Sequence, residues 1–162
     1  MSDETMTRPG ADMRRDRIRP ARPGDARACE AIAHAAYAKY VPRMAKKPSP
    51  LFYDYDKVVA EGFTHVWEQD GAVVAMVTLI PREDHLLLRN LVVLPQFQGK
   101  GIGRVFMAFA EDQALGHGLA RIHLWTNEAM SENVPYYEAL GYAVRERAVV
   151  DGYSRIFMAK AL

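Results

Sequence analysis

The 162-residue chain is 49 % hydrophobic and 25 % charged, with a formal net charge of +1. That length suggests one domain with a sizeable core, and near-neutrality gives none of the concentrated basic surface that nucleic-acid binding favours. No run of about 18 apolar residues exists to span a membrane, and the single cysteine, Cys29, excludes an intramolecular disulfide.

Residues 1–16 are polar and carry no hydrophobic period, so a disordered tail is expected there, ahead of a folded domain over residues 17–162. The tail lacks the apolar centre of a secretory signal, and Asp3, Glu4, Asp12 and Asp16 argue against a transit peptide, which leaves the cytoplasm as the expected compartment. A short strand is predicted around Ile18. Pro23-Gly24-Asp25 then breaks the chain, with Asp25 a candidate N-cap. Cys29, Ile32, Ala33, Ala36, Tyr37 and Tyr40 recur at helical spacing and predict an amphipathic helix. A second helix is predicted over residues 53–61, after Pro42, Pro48 and Pro50. Strands over 63–69 and 72–80 flank Asp70-Gly71, a strong hairpin signal. A polar loop, Pro81 to Asp84, leads to a third apolar strand over 86–94. A helix over 102–116 is predicted to turn Val105, Phe106, Phe109, Ala110 and Ala114 inward and to end at Gly116 and Gly118. A strand over 120–126 and a helix over 133–140, closed by Gly141, come next. Strands over 142–149 and 153–161 around Asp151-Gly152 complete the chain. The order β-α-α-β-β-β-α-β-α-β-β predicts an α+β fold with one mixed central sheet.

The chemistry concentrates between Leu91 and Gly103, which reads Leu-Val-Val-Leu-Pro-Gln-Phe-Gln-Gly-Lys-Gly-Ile-Gly. A strand, a glycine loop and a helix in that order make an anion site. Unobstructed backbone N–H groups form a nest, and the helix adds unpaired N–H groups and the positive end of its dipole. A Walker A loop is excluded because Gly101, rather than Ser or Thr, follows Lys100. A dinucleotide fingerprint is excluded by the even glycine spacing and by the absence of an acid near His123, where one is needed roughly 20 positions on.

Gln98-Gly99-Lys100-Gly101-Ile102-Gly103 resembles the Gln/Arg-x-x-Gly-x-Gly/Ala loop of the GNAT superfamily of N-acetyltransferases. Upstream, Asn90-Leu91-Val92-Val93-Leu94-Pro95 is similar to that family's central strand. Downstream, the stretch from Glu132 and Asn133 through Tyr137 to Leu140-Gly141-Tyr142 is similar to its E-N-x-x-x-Y-x-x-L-G-Y segment. The matching order covers residues 18 to 162. The resemblance implies the GNAT-like fold, with a splayed pair of parallel strands. It implies acetyl transfer from acetyl-CoA to a primary amine of a small molecule or protein, by direct attack in a ternary complex and without a metal. A non-catalytic module that binds or senses coenzyme A on the same fold is the alternative, and Tyr137 with an intact loop favours the enzyme.

By the same resemblance, the N–H groups of Gln98, Gly99, Lys100, Gly101, Ile102 and Gly103, with Arg104, surround the diphosphate of coenzyme A. A β-carbon at Gly101 or Gly103 would occupy phosphate space. Where the family often has Arg, this chain has Gln98. Leu91, Val92 and Val93 are expected to pair with the pantetheine arm as another strand does, a general recognition mode, and one of their N–H groups to polarise the thioester carbonyl. Tyr137 is the candidate general acid for the departing thiolate. Asn133 falls one helical turn before it, as a cofactor contact or a helix cap, and Asn127 is a weaker cofactor candidate.

The proton acceptor is open. Where many relatives carry a strand Glu, this chain has Leu86, Leu87 and Leu88; Glu83, Asp84, His85 and His123 are the nearby alternatives. For the amine acceptor, Tyr37, Tyr40 and Tyr53 are candidates, with Asp54 and Asp56 nearby. Aromatics beside carboxylates suit a cationic amine, whereas an inward stripe and a solvated helix start account for the same residues without a ligand. The final strand alternates Tyr153, Arg155 and Phe157 and is a candidate homodimer contact.

Overall fold

The computed structural model describes residues 14–162. The expected tail lies outside the described residues over 1–13. Arg14–Asp16 are placed, with the Arg14 guanidinium donating to Lys100 O at 2.7 Å and Arg15 ion-paired to Asp112.

The elements are β1 (Ile18–Pro20), α1 (Ala26–Tyr37), α2 (Tyr55–Ala60), β2 (Thr64–Gln69), β3 (Ala72–Pro81), β4 (Leu86–Val93), α3 (Ile102–Gly116), β5 (Arg121–Asn127), α4 (Asn133–Ala139), β6 (Ala143–Val150) and β7 (Tyr153–Ala161). Their order is the expected one. Both Asp-Gly pairs form tight hairpin turns with both residues at positive φ: 53° and 78° at Asp70-Gly71, 51° and 80° at Asp151-Gly152. This twist matches that of the strands they join. The helical stripe leaves α-geometry after Tyr37. A 3₁₀ segment over Ala38–Arg43 carries Tyr40, because Pro42 has no N–H for a continuing helix. The helix expected over 53–61 is shorter, preceded by a 3₁₀ turn over Ser49–Phe52 and capped by Asp54, which accepts from Lys57 N at 3.3 Å.

Asp25 stands at the N-cap position of α1 without the cap bond expected of it. A 3₁₀ turn over Pro23–Asp25 puts its backbone in the αR region, so its carboxylate turns back to accept from Arg22 N at 2.7 Å and from the Arg19 guanidinium at 2.8 and 3.0 Å.

The strands form one mixed sheet in the order β1-β2-β3-β4-β5-β7-β6. Helices α1 and α2 cover one face, burying Cys29, Ile32, Ala33, Val58 and Val59 against Val66, Met76 and Val92. Helix α3 covers the other, with Ile102, Phe106, Met107, Ala110 and Ala114 against Trp67, Ala75, Val77, Leu86, Leu88 and Ile122. Burying Ile102, Phe106 and Met107 contributes about 2 kcal/mol each. Val105 and Phe109 are only half-buried.

The sheet departs from regularity where it matters. β4 and β5 run parallel but pair only over Leu86↔Ile122, Leu87↔His123 and Leu88↔Leu124. Across from β3, Thr78 faces Asn90 while Leu79 faces Leu88, so Arg89 is an extra residue, a bulge. Bulges bend a strand and increase its twist. From Arg89 onward β4 departs from β5, and a cleft opens between them.

Candidate active site

The cleft has a volume of about 450 Å³. Its floor is the end of β4, its lower wall the glycine loop and first turn of α3, and its far wall α4. The end of α1 and the following 3₁₀ segment roof it with Ala36, Tyr37, Lys39 and Tyr40. Of the sequence-predicted cofactor residues, Leu91, Val92, Val93, Gln98, Gly99, Gly101, Ile102, Gly103, Arg104 and Asn133 line it, as do Tyr137, Tyr37 and Tyr40. Lys100 does not, its ammonium lying over the Phe97 ring 5.2 Å from the centroid. Tyr53 lines a separate small cavity instead.

Strand register decides which backbone groups face the cleft. Leu94 N donates to Val74 O at 2.9 Å, so Leu94 belongs to the β3 ladder. Antiparallel pairs alternate between bonded and non-bonded, which sends the peptide groups of Val92 to β3 as well, opposite Met76. Leu91 and Val93 therefore turn their N–H and C=O groups into the splay. Val92, expected alongside them, contributes instead through its side chain, packed under α1. One cleft-facing acceptor is already used: Gln98 Nε2 donates to Val93 O at 3.0 Å. The family's Arg position thus carries a side chain that ties the loop to the strand.

The glycine loop holds its backbone open. Gly101 stands at the N-cap of α3 with φ 84°, a left-handed conformation that only glycine adopts cheaply. The first N–H groups of α3 have no partner within the helix and point at the cleft. The β-carbon expectation needs correction in its occupant. A Cβ at Gly101 would lie 3.0 Å from Arg14 Nη1, and one at Gly103 would lie 2.9 Å from the Tyr136 hydroxyl. Protein groups, rather than open phosphate space, abut both positions, because Arg14 docks on the loop and α4 packs against the first turn of α3.

Tyr137 sits within an aromatic cluster, its ring edge-on to Tyr136 and Tyr142 with centroids 5.3 and 5.9 Å away. Burial, with the neighbouring phenols of Tyr136 and Tyr40, raises its pKa well above the usual 10 for tyrosine. It is therefore a neutral O–H, and it donates to no protein acceptor among the described residues. Tyr37, also pushed up by burial, donates to Asn90 Oδ1 at 3.0 Å. Tyr40 is pushed to about 12 by burial and then by Glu132. Asn133 is not the cap of α4, where Glu132 stands; its side-chain amide donates to Thr126 Oγ1 at 3.0 Å and ties α4 to β5. Asn127 closes a turn, accepting from Ala129 N at 2.9 Å, and lines the small cavity rather than the cleft.

The four groups considered as proton acceptors lie elsewhere. His85 stacks on His123 with ring centroids 3.9 Å apart and donates from Nδ1 to Asp84 Oδ1 at 2.6 Å. His123 belongs to the stretch where β4 and β5 are still paired, before the bulge, and His85 lies at the end of the β3–β4 loop on which Glu83 and Asp84 are exposed. Burial and the adjacent His85 lower the His123 pKa. Among the described residues Glu132 is the one carboxylate that lines the cleft. Arg43 grips it at 2.9 and 3.0 Å, with Lys39 at 3.9 Å, which holds its pKa below the usual carboxylate range. Sequence reading missed this bridge across the cleft mouth, since its partners are far apart in the chain.

A model of the acetyltransferase (GNAT) family matches residues 29–142. The chain belongs to that family. Its glycine loop and the Asn133–Tyr142 segment both fall inside the matched region. None of the curated proteins compared matches the chain in sequence. In solved structures the same GNAT fold recurs. The PaiA N-acetyltransferase of Thermoplasma acidophilum, determined in complex with coenzyme A, superposes with a TM-score of 0.77 at 17% identity over 90% of this chain and 98% of that one. The ribosomal-protein-S18-alanine N-acetyltransferase of Escherichia coli superposes with a TM-score of 0.68 at 22% identity, over 89% and 92%. Ard1 of Thermoplasma volcanium gives 0.72 at 15%, over 90% and 96%. At such identities the likeness is one of fold. No helix among the described residues is long and apolar enough to cross a membrane.

Strand β7, the candidate homodimer contact, lies inside the sheet with β5 on one side and β6 on the other. Tyr153 is buried and donates to Lys47 O at 2.6 Å. The sheet edge at this end belongs to β6, whose exposed Arg145, Glu146 and Arg147 are the kind of charged edge that resists strand pairing.

Proposed function

We propose that this GNAT family member, acting as one domain over residues 17–162, transfers the acetyl group of acetyl-CoA to a primary amine in a ternary complex. The observation that supports it most is the open edge of β4: Leu91 and Val93 face a cleft that ends at the glycine loop on one side and at a neutral, unpartnered tyrosine on the other. The loop N–H groups and Arg104 fit the diphosphate of coenzyme A, and the free N–H and C=O groups of Leu91 and the N–H of Val93 fit the amides of its pantetheine arm. When bound, acetyl-CoA supplies the thioester carbonyl. One strand N–H donates to the carbonyl oxygen as negative charge develops there, a contact of the kind typically worth about 3–4 kcal/mol. The amine nitrogen bonds to the carbonyl carbon, the carbon–sulfur bond breaks, and Tyr137 gives its proton to the leaving sulfur and takes one back from solvent once the product leaves. The amine's surplus proton goes to solvent. The cytoplasm is the compartment this reading assumes.

Tyr137→Phe tests it. The expected result is a loss of at least a hundredfold in kcat, the usual scale for a general acid, with the Kd for coenzyme A within twofold of wild type by calorimetry. Unchanged turnover in thiol-release assays across an amine panel removes Tyr137 from the mechanism. Coenzyme A binding without turnover on any amine returns the chain to a sensing role.

A further inference from the structure

A second, smaller cavity of about 60 Å³ adjoins the cleft, and Tyr37 lines both. The α1–α2 connection, β4, β5 and β7 build it, bringing together Tyr53, Trp125, Tyr153, Asn127, Arg89 and Arg155. Among the described residues no Asp or Glu lines it. Asp54 and Asp56, the carboxylates expected beside these aromatics, are both exposed, the first spent on capping α2.

Neither arginine has all its donors satisfied among the described residues. Arg89 is the bulged residue at the root of the splay. Its Nε and Nη2 are buried and have no hydrogen-bond partner among the described residues; its one charged neighbour is Glu61, 3.6 Å from Nη1. A buried donor left unpaired is costly, and native structures rarely keep one without a reason. Its guanidinium carbon lies 5.5 Å from the Tyr53 ring centroid. Arg155 stands opposite Asn127 on the neighbouring strand, its guanidinium 5.0 Å from the Trp125 centroid and 5.7 Å from that of Tyr153. It makes no ion pair among the described residues. Two guanidiniums held by aromatic faces, with free donors and with Glu61, outside the cavity lining, as the one carboxylate paired to either, make a site for a planar anion that accepts two bonds at once. The same pair repels a cationic chain. Arg89 lies two residues, roughly 7 Å of strand, before Leu91. An acceptor held at Arg89 thus has its amine within reach of an acyl group at the Leu91 N–H.

We infer that the second cavity binds the acetyl acceptor and that Arg89 and Arg155 hold a carboxylate on it, so that the acceptor is a small amine that also carries a carboxylate. This rests on the acetyl-transfer reading above. A larger hollow sharing Met44, Asn127 and Tyr153 with this cavity gives room for the rest of such a molecule.

The experiment compares each α-, β- and ω-amino acid with its carboxamide, at saturating acetyl-CoA, together with a polyamine and a lysine peptide. The expected result is a kcat/KM at least a hundredfold higher for one or more acids than for the matching amide. That ratio falls below tenfold in Arg155→Gln and in Arg89→Gln, and Arg155→Lys retains part of it. Calorimetric coenzyme A affinity within twofold of wild type shows that each variant is folded. Short peptides with a free or amidated C-terminus separate a free amino acid from a peptide as the source of the carboxylate. Amides, polyamine or peptide lysine acetylated as well as every acid overturn the inference, as does a ratio unchanged by both arginine variants. If no amine is acetylated, the acetyl-transfer reading fails. The site is then read by Trp125 fluorescence with coenzyme A present: a change on adding acids but not amides supports it, and no difference overturns it.

Discussion

Gly99, Gly101 and Gly103 are one motif in sequence but stand in three physical situations, and Gly103 allows the sharpest test. It sits in the first turn of α3 and needs no left-handed backbone, so Gly103→Ala carries no φ penalty. Alone, the change gains up to about 1 kcal/mol of helix propensity. Against that, its Cβ would lie 2.9 Å from the Tyr136 hydroxyl, and forcing an extra carbon into a packed site costs about 1–3 kcal/mol. The next Tyr136 atom, Cζ, is 3.9 Å away, an ordinary contact. Tyr136→Phe therefore removes the conflict without opening the ring packing on Tyr137. Gly103→Ala in wild type is expected to be destabilising by up to about 2 kcal/mol, and in the Tyr136→Phe background neutral or stabilising. The coupling between the two positions is then about 1–3 kcal/mol, against the roughly 0.5 kcal/mol within which independent sites add. Urea unfolding of the four proteins measures it, and calorimetry with coenzyme A follows in parallel, because displacing Tyr136 also moves a cleft wall. The single variant is expected to weaken coenzyme A at least tenfold and the double variant to recover most of that. Additive stabilities, or a double variant that binds as poorly as the single one, refute the placement of α4 against the loop.

Two further predictions concern pH. With Tyr137 held neutral far into the alkaline range and no neutral base lining the cleft among the described residues, kcat/KM should rise about tenfold per pH unit toward the acceptor's own pKa, without a plateau near pH 7; a bell-shaped profile centred near neutrality would contradict this. The Asp25 carboxylate is depressed chiefly by its hydrogen bond to Arg19. Its stabilisation is therefore present above the unfolded carboxylate value of about 4 and is lost as pH falls below that. Asp25→Asn should cost about 2–3 kcal/mol at pH 7 by chemical denaturation, less than the loss of a lone buried partner because Arg19 keeps Glu68 at 2.5 Å, and the gap to wild type should narrow below pH 4.

Much was legible because its causes are local. Two Asp-Gly turns, an apolar period of 3.6 along α1 and α3, and glycines flanking a strand-to-helix turn act within a few residues of themselves, so the element order and the loop could be read without neighbours. The strand and loop residues of the cleft, Leu91 to Arg104, were reached in the same way, since a loop and the strand feeding it are continuous in the chain, whereas Asn133 and Tyr137 were reached through the family resemblance. The misplacements at the proton-acceptor candidates were long-range. His85 of the β3–β4 loop meets His123 of β5, and whether they lie in the cleft or behind it depends on where β4 and β5 part. That point is set by the bulge at Arg89, which no periodicity announces. Asp25 has the composition of a cap, but the preceding 3₁₀ turn and Arg19 claim its oxygens. Arg14 was grouped with a tail by composition, though its guanidinium docks on the loop 86 residues on.

By itself the sequence determined the order of secondary structure, both hairpin turns and the glycine loop, because each is dictated by backbone chemistry over short spans; Tyr137 was legible only through the resemblance of its segment to the GNAT family. The tertiary structure alone decided that β7 is internal, that the strand edge is offered by Leu91 and Val93 rather than Val92, and that Arg89 and Arg155 share an aromatic cavity. Those facts depend on which strands pair and where the pairing stops, and pairing joins residues that are distant in the chain.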